Sequence, residues 1–175
     1  MMNLIRLAAA TIALAACQDQ PVRTATGPTL PQAPQQGVAA YITVDRLDAP
    51  VGAAVRVQVA VQVGTQQNFK LGSFTGRLHF SADKLQFQAE NRINDGLRIA
   101  NPANAAKGEI RFAGASAAGF STLVLYDATF VVKAADYASD LTLQMEEMSA
   151  AATLTNLRPQ LNVSKQIFLS RTAEH

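Results

Sequence analysis

Apolar and polar residues alternate along most of the chain from Tyr41 onward. The longest such run has valine at every second position from Val55 to Val63, with residues such as Arg56 and Gln58 between the valines. Successive side chains of a strand point to opposite faces of a sheet. The run therefore predicts a long β-strand with one buried side and one side facing solvent.

Shorter runs of the same kind, or of buried apolar residues, recur down the chain and are separated by turn signals such as Asn94-Asp95-Gly96. They predict strands near residues 41–47, 55–63, 71–80, 85–87, 97–99, 108–113, 123–132, 141–145 and 161–169. No segment has a clear amphipathic helical pattern. The chain is predicted to be an all-β, two-sheet sandwich of eight or nine strands, whose strand order the sequence does not give.

The first 17 residues have the pattern of an export signal. A short segment containing Arg6 precedes ten residues, 7–16, that are apolar apart from one threonine. This stretch fits a signal peptide and is too short to span a bilayer. It ends in Leu14-Ala15-Ala16-Cys17, which resembles the bacterial lipobox. We therefore expect residues 1–16 to be a lipoprotein signal peptide, cleaved between Ala16 and Cys17, and Cys17 to carry covalent lipid.

The segment after the cysteine is typical of a flexible tether. Residues 18–40 hold four of the seven prolines and five glutamines, without apolar periodicity. We predict a disordered tether over 17–40, a folded domain over 41–170 and a frayed C-terminus over 171–175. Gln18 follows the cysteine in place of the aspartate that resembles an inner-membrane retention signal. An outer-membrane location is therefore expected if the source has two membranes.

Composition and charge remove several classes of function. The net charge is +2 and the basic residues are scattered, so nucleic acid is not an expected partner. The single cysteine forms no internal disulfide.

Residue types that support catalysis or metal binding are sparse. The chain has only two histidines, His79 and His175, the residue type best suited to acid–base chemistry near neutral pH. Residues 114–119 miss the Gly-x-Ser-x-Gly spacing by one position. No zinc motif occurs, and four acidic residues are too irregularly spaced for a calcium loop: Asp136, Asp140, Glu146 and Glu147. We expect no catalytic residues, no metal site and no cofactor beyond the lipid on Cys17.

The order of three local features resembles that of cohesin modules and the related carbohydrate-binding modules. Ala49-Pro50-Val51-Gly52 leads into the valine strand, as a Val-Gly turn does in the family. Asp83-Lys84-Leu85-Gln86-Phe87 resembles the family's Asp-x-x-x-Leu-x-Phe turn, one residue shorter between aspartate and leucine. Thr129-Phe130-Val131-Val132-Lys133-Ala134 matches a late Thr-Phe strand. The resemblance covers about residues 41–150.

The resemblance implies a nine-stranded jelly-roll sandwich that binds a partner on one sheet face. Cohesins bind dockerins, small calcium-loaded modules on secreted polysaccharide-degrading enzymes, through strands three, five, six and eight. The matching outward positions form a predicted docking surface for an anionic or polar partner, and for any one of them a merely solvated face is the alternative. They are Arg77, His79, Arg98, Glu109 and Arg111.

The leading hypothesis is a non-enzymatic, lipid-anchored module that binds a dockerin-like or other envelope protein. A second is a polysaccharide-binding lipoprotein on the same fold. Such modules stack sugars on exposed aromatic rings, and with no tryptophan present the candidates are Tyr41, Tyr126 and Tyr137. A third is a structural component of an envelope or secretion assembly.

Overall fold

The computed structural model describes residues 30–170. The predicted signal peptide, the cleavage position at Ala16, Cys17, residues 18–29 of the tether and the C-terminal residues 171–175 lie outside the described residues. The strands are β1 (Val38–Val44), β2 (Ala54–Val63), β3 (Leu71–His79), β4 (Leu85–Glu90), β5 (Leu97–Asn101), β6 (Glu109–Ala115), β7 (Val124–Val132), β8 (Thr142–Ala150) and β9 (Leu161–Leu169). Three single-turn 3₁₀ helices join them, at Ala105–Lys107, Tyr137–Asp140 and Arg158–Gln160. No helix within residues 30–170 has the length and apolar character needed to cross a membrane.

The strands form two sheets that pack face to face. The five-stranded sheet has the order β4-β7-β2-β1-β9, and the four-stranded sheet has the order β5-β6-β3-β8. All neighbouring strands are antiparallel except β1 and β9, which run parallel. The predicted all-β sandwich is confirmed, with nine strands.

Alternation along the strands explains the core. In β2 the inward residues Val55, Val57, Val59 and Val61 are at most 1% exposed, as the period of two predicts. From the facing sheet, residues such as Phe74 on β3 meet them in one continuous cluster. Burial of a side chain of this size stabilises the fold by about 1.5–3 kcal/mol.

The first strand begins earlier than the sequence suggested. β1 starts at Val38, inside the segment predicted to be tether. Val38 and Ala40 are buried, and Val38 pairs with Val63 of β2 on one side and with Leu161 of β9 on the other. Gly37 precedes it with a φ of 81°, and a Cβ there would lie 2.4 Å from the Gln160 carbonyl oxygen. Glycine is the residue that adopts this left-handed, crowded position readily.

A buried carboxylate ties two strands and a loop together on the outer face of the five-stranded sheet. Asp127 on β7 is 3% exposed and accepts hydrogen bonds from Arg56 and Gln58 of β2 and from Asn91 after β4. Burial raises the pKa of Asp127, but the bonds from Arg56, Asn91 and Gln58 outweigh it and hold that pKa below its usual value.

We expect Asp127→Ala to lower the free energy of unfolding by about 2 kcal/mol near neutral pH, because three donors lose their acceptor. The pKa of Asp127 is depressed in the folded state, so its contribution is complete above the unfolded value of about 3.9 and is lost as the pH falls through the folded value. Urea unfolding at pH 7 and pH 3 measures this. The difference in unfolding free energy between Asp127→Ala and wild type should be smaller at pH 3 than at pH 7. The control Asp83→Ala, at an exposed turn, should change the unfolding free energy little at either pH.

Candidate binding face

The outer surface of the four-stranded sheet carries most of the predicted site residues. We call this surface the binding face. Its outward positions lie side by side across the strands: His79 opposite Glu109, Arg77 opposite Arg111, and Thr75 opposite Ala113. The remaining outward residues are Leu97, Ile99, Asn101, Ala115, Ser73, Thr142, Gln144, Glu146, Glu147 and Ser149.

One half of the binding face is an ion-pair network centred on Arg77. Its Nε lies 2.6 Å from Glu146 Oε1 of β8, and its Nη1 lies 3.1 Å from Glu109 Oε2 of β6. Arg111 Nη2 contacts the other oxygen of Glu146 at 3.3 Å. His79 Nδ1 lies 3.9 Å from Glu109 Oε2. The structure thus brings Arg77, His79, Glu109 and Arg111 together, as the sequence suggested.

The network cancels its own charge. Hydrogen bonds from Arg77 lower the pKa values of both Glu109 and Glu146, and these same carboxylates raise the pKa of Arg77. Two guanidinium groups therefore face two carboxylates that stay ionised at neutral pH. The binding face is a polar surface and does not carry the excess positive charge that an anionic partner would require.

The other half of the binding face is apolar, which the sequence reasoning missed. Leu97 and Ile99 on the edge strand β5 are 73% and 67% exposed, beside Ala113 and Ala115 of β6. We call these four residues the apolar strip. Where it meets the network, Ile99, Ala113 and Arg111 line a shallow cavity of about 230 Å³ together with Thr75, Asn101 and Phe112. Leu97 and Ile99 stand on either side of Arg98, and apolar residues in such an alternation are usually assigned to the core.

The prediction that Arg98 lies on this face was wrong. Arg98 pairs with Gly114 and points between the sheets, with only 7% of its side chain exposed. Its guanidinium lies 4.4 Å from the centre of the Phe120 ring, and its Nη1 donates to the carbonyl oxygens of Val124 (2.8 Å) and Leu125 (3.1 Å). The alternation of β5 is inverted, since the apolar residues face outward and the arginine faces inward.

Arg98 has the partners that a buried cation needs. Burial lowers its pKa, and Asp95 opposes this from 3.5 Å. The Asp95 carboxylate also accepts hydrogen bonds from the backbone of Thr122 at 2.7 Å and Ser121 at 2.9 Å, and chiefly the first of these holds its pKa below the usual value. Arg98 therefore fastens β5 to the start of β7 and acts as a structural residue.

Other candidate chemistry is weakly represented in the structure. Within residues 30–170, no group of three His, Cys, Asp or Glu side chains is placed to hold a metal ion. Asp136 and Asp140 both contact Lys84, at 2.6 and 2.8 Å. The three tyrosines considered as sugar platforms are at most 6% exposed, so none presents a ring face to solvent: Tyr41, Tyr126 and Tyr137.

Comparison with known proteins identifies the architecture. No family model matches the chain, and no curated protein matches it in sequence. Among solved structures, a non-cellulosomal cohesin from Archaeoglobus fulgidus is similar, with 19% identity, a TM-score of 0.52, and coverage of 74% of this chain and 86% of that one. A cohesin module of a Clostridium perfringens family 33 glycoside hydrolase has 14% identity, a TM-score of 0.54, and coverage of 77% and 99%. The fold is cohesin-like.

Some similar structures contain a bound partner. The sixth cohesin of scaffoldin B from Acetivibrio cellulolyticus, solved in complex with a mutant Cel5 dockerin, has 13% identity, a TM-score of 0.53, and coverage of 75% of this chain and 99% of that one. At these low sequence identities, the structural similarity to cohesins establishes the fold of this chain.

We expect Arg98→Ala to lower the free energy of unfolding by about 3 kcal/mol, because it leaves buried carbonyl oxygens without donors and removes the contact with Phe120. Arg111→Ala removes a half-exposed ion pair and should cost less than about 1 kcal/mol. Urea denaturation of both variants measures the difference. Equal losses would contradict the assignment of Arg98 to the interior.

Proposed function

We propose that the chain is a non-enzymatic module that binds a dockerin-like or other envelope protein through the binding face, and that lipid on Cys17 holds it at the cell envelope. The observation that carries the proposal is the apolar strip beside an ordered ion-pair network on one face of the four-stranded sheet. The presence of a dockerin on a similar fold supports this class of partner.

The apolar strip supplies the contact energy that a protein interface needs. Leu97 and Ile99 are large, exposed and adjacent, and a partner that covered each of them would gain about 1.5–3 kcal/mol. Grouped exposed apolar residues beside polar ones are typical of interaction surfaces. The cavity where Ile99 meets Arg111 is large enough for one aliphatic side chain of the partner.

The network supplies orientation. Glu109 and Glu146 already hold Arg77, so binding would freeze little additional side-chain motion. Arg111 is different, because half of its side chain is exposed and only its Nη2 contacts Glu146. Its remaining N–H groups can donate to a partner carboxylate or carbonyl next to the aliphatic side chain.

The anchor would present this face to the solvent. Two or more acyl chains hold a protein stably at a bilayer, and a mature bacterial lipoprotein would carry at least two on its cysteine. The tether would then keep the sandwich close to the surface, on the outer membrane if the source has two membranes. The buried tyrosines disfavour sugar stacking on the same fold.

We expect the double variant Arg77→Glu, Arg111→Glu to abolish partner capture from the native secretome, because it places four carboxylates together on the binding face. Ile99→Asp should weaken capture at least tenfold with little effect on folding, since Ile99 is 67% exposed. Capture on the immobilised chain, with and without calcium chelation, is the measurement.

The matched control is Lys133→Glu, Lys165→Glu, which makes the same charge change outside the four-stranded sheet and should leave capture intact. A partner that is retained equally by all variants would exclude the binding face. Retention of the chain on insoluble glycans, without any protein partner, would favour the polysaccharide hypothesis instead.

We expect Cys17→Ser to leave an unprocessed precursor that incorporates no lipid, because the thiol accepts the diacylglyceryl group before cleavage. Metabolic labelling with a radioactive fatty acid, followed by gel mobility, measures both effects. Labelled protein in the variant would refute the anchor without affecting the binding face.

A further inference from the structure

The chain enters the sandwich at one end, which we call the tether end. β1 begins there, next to the end of β2 and the start of β9. The loop before β3 and the loop over residues 151–160 lie at the same end, because Ala151 N donates to the Lys70 carbonyl oxygen at 2.8 Å. The tether segment joins them, since Thr65 N donates to the Pro34 carbonyl oxygen.

The loop over residues 151–160 presents a large apolar side chain in a disfavoured conformation. Leu154 is 78% exposed, and its φ is 54°. Ala152, two residues earlier, has a φ of 62°. Left-handed backbone favours Gly or Asn and disfavours leucine, and such outliers cluster at functional positions. Packing within the fold does not explain the leucine, because its side chain contacts mainly solvent.

Basic side chains accompany Leu154 at the tether end. Lys70 and Arg158 are both exposed, and neither makes an ion pair within residues 30–170. Within residues 30–170, the only acidic residue in the connections at this end is Asp95, whose carboxylate is held by Ser121, Thr122 and Arg98, while Glu90 ends β4 beside these connections. The loops at the opposite end hold five aspartates: Asp45, Asp48, Asp83, Asp136 and Asp140.

We propose that the tether end docks on an anionic phospholipid surface, with Leu154 inserted among the acyl chains and Lys70 and Arg158 against the headgroups. An exposed apolar residue flanked by basic residues matches the chemistry of this boundary. The proposal builds on the proposed lipid at Cys17, because only 12 residues separate Cys17 from Leu30. That short connection raises the effective concentration of the tether end at the bilayer surface, so a contact too weak to act alone can still form.

Docking of this end would orient the binding face. The strands run between the tether end and the opposite end. With the tether end on the bilayer, they would lie roughly perpendicular to the membrane surface and outside it. The four-stranded sheet would then face sideways, and a partner could reach it without meeting the bilayer.

The chain has no tryptophan, so one introduced tryptophan reports on a single position. The probe is Leu154→Trp in the chain that begins at Cys17, and the matched control is Val51→Trp, whose native side chain is 66% exposed at the opposite end. The only thiol, Cys17, is coupled to a maleimide lipid in vesicles of phosphatidylethanolamine and phosphatidylglycerol with brominated acyl chains. This coupling fixes the anchor chemically, so the test does not depend on lipidation in the cell.

The expected result is a blue-shifted emission and a loss of roughly half or more of the Leu154→Trp fluorescence to the brominated chains. Val51→Trp should keep the emission of a solvent-exposed indole. Lys70→Glu with Arg158→Glu should reduce the docked fraction roughly tenfold, while Lys107→Glu with Lys133→Glu, at the opposite end, should not. Equal quenching of the two tryptophans, or none at position 154, would overturn the proposal while leaving the lipid on Cys17 and the binding face untouched.

Discussion

Packing of alternate side chains between two sheets holds this protein together. A chain with one cysteine has no internal disulfide that could share this role. The inward valines of β2 and residues such as Phe74 and Phe130 form a single cluster through the sandwich. Every outward feature is placed by this constraint. When the inward positions of a strand are fixed by the core, its neighbours in sequence must face outward, and cross-strand register decides which of them meet.

The same register brings two arginines opposite each other. Arg77 on β3 lies across from Arg111 on β6, a pair that would repel if nothing lay between them. A bulge in β8 supplies the compensation. Met145 pairs with Gly76 and Glu147 with Thr75, so Glu146 is the additional residue and reaches both guanidinium groups. The bulge also lets Met145 and Met148 both enter the core, at 5% and 2% exposed.

Sequence periodicity was sufficient to predict where the strands lie. It did not predict which side of the edge strand β5 faces the core. The valines of β2 reveal a half-buried strand because a period of two has one structural meaning. β5 has the same period, yet its inward residue is Arg98 and its outward residues are Leu97 and Ile99. Hydrophobicity alone assigns these sides the opposite way. The carbonyl oxygens of Val124 and Leu125 and the Phe120 ring, all distant in sequence, add to nearby Asp95 and make the interior favourable for a guanidinium. The predicted outward cluster was otherwise recovered, because β3 and β6 follow the usual polarity.

The inversion of β5 links the stability of the fold to the proposed role of the binding face. An arginine on the inner side of an edge strand is held by carbonyl groups, an aspartate and an aromatic ring, so it needs no further apolar contacts from its strand neighbours. Those neighbours are then free to be apolar and exposed without weakening the core. The cost of exposing Leu97 and Ile99 is a tendency to associate, which an edge strand already has. Covering an exposed apolar strip on an edge strand would be favourable, and this is the physical argument for the proposed partner at the binding face.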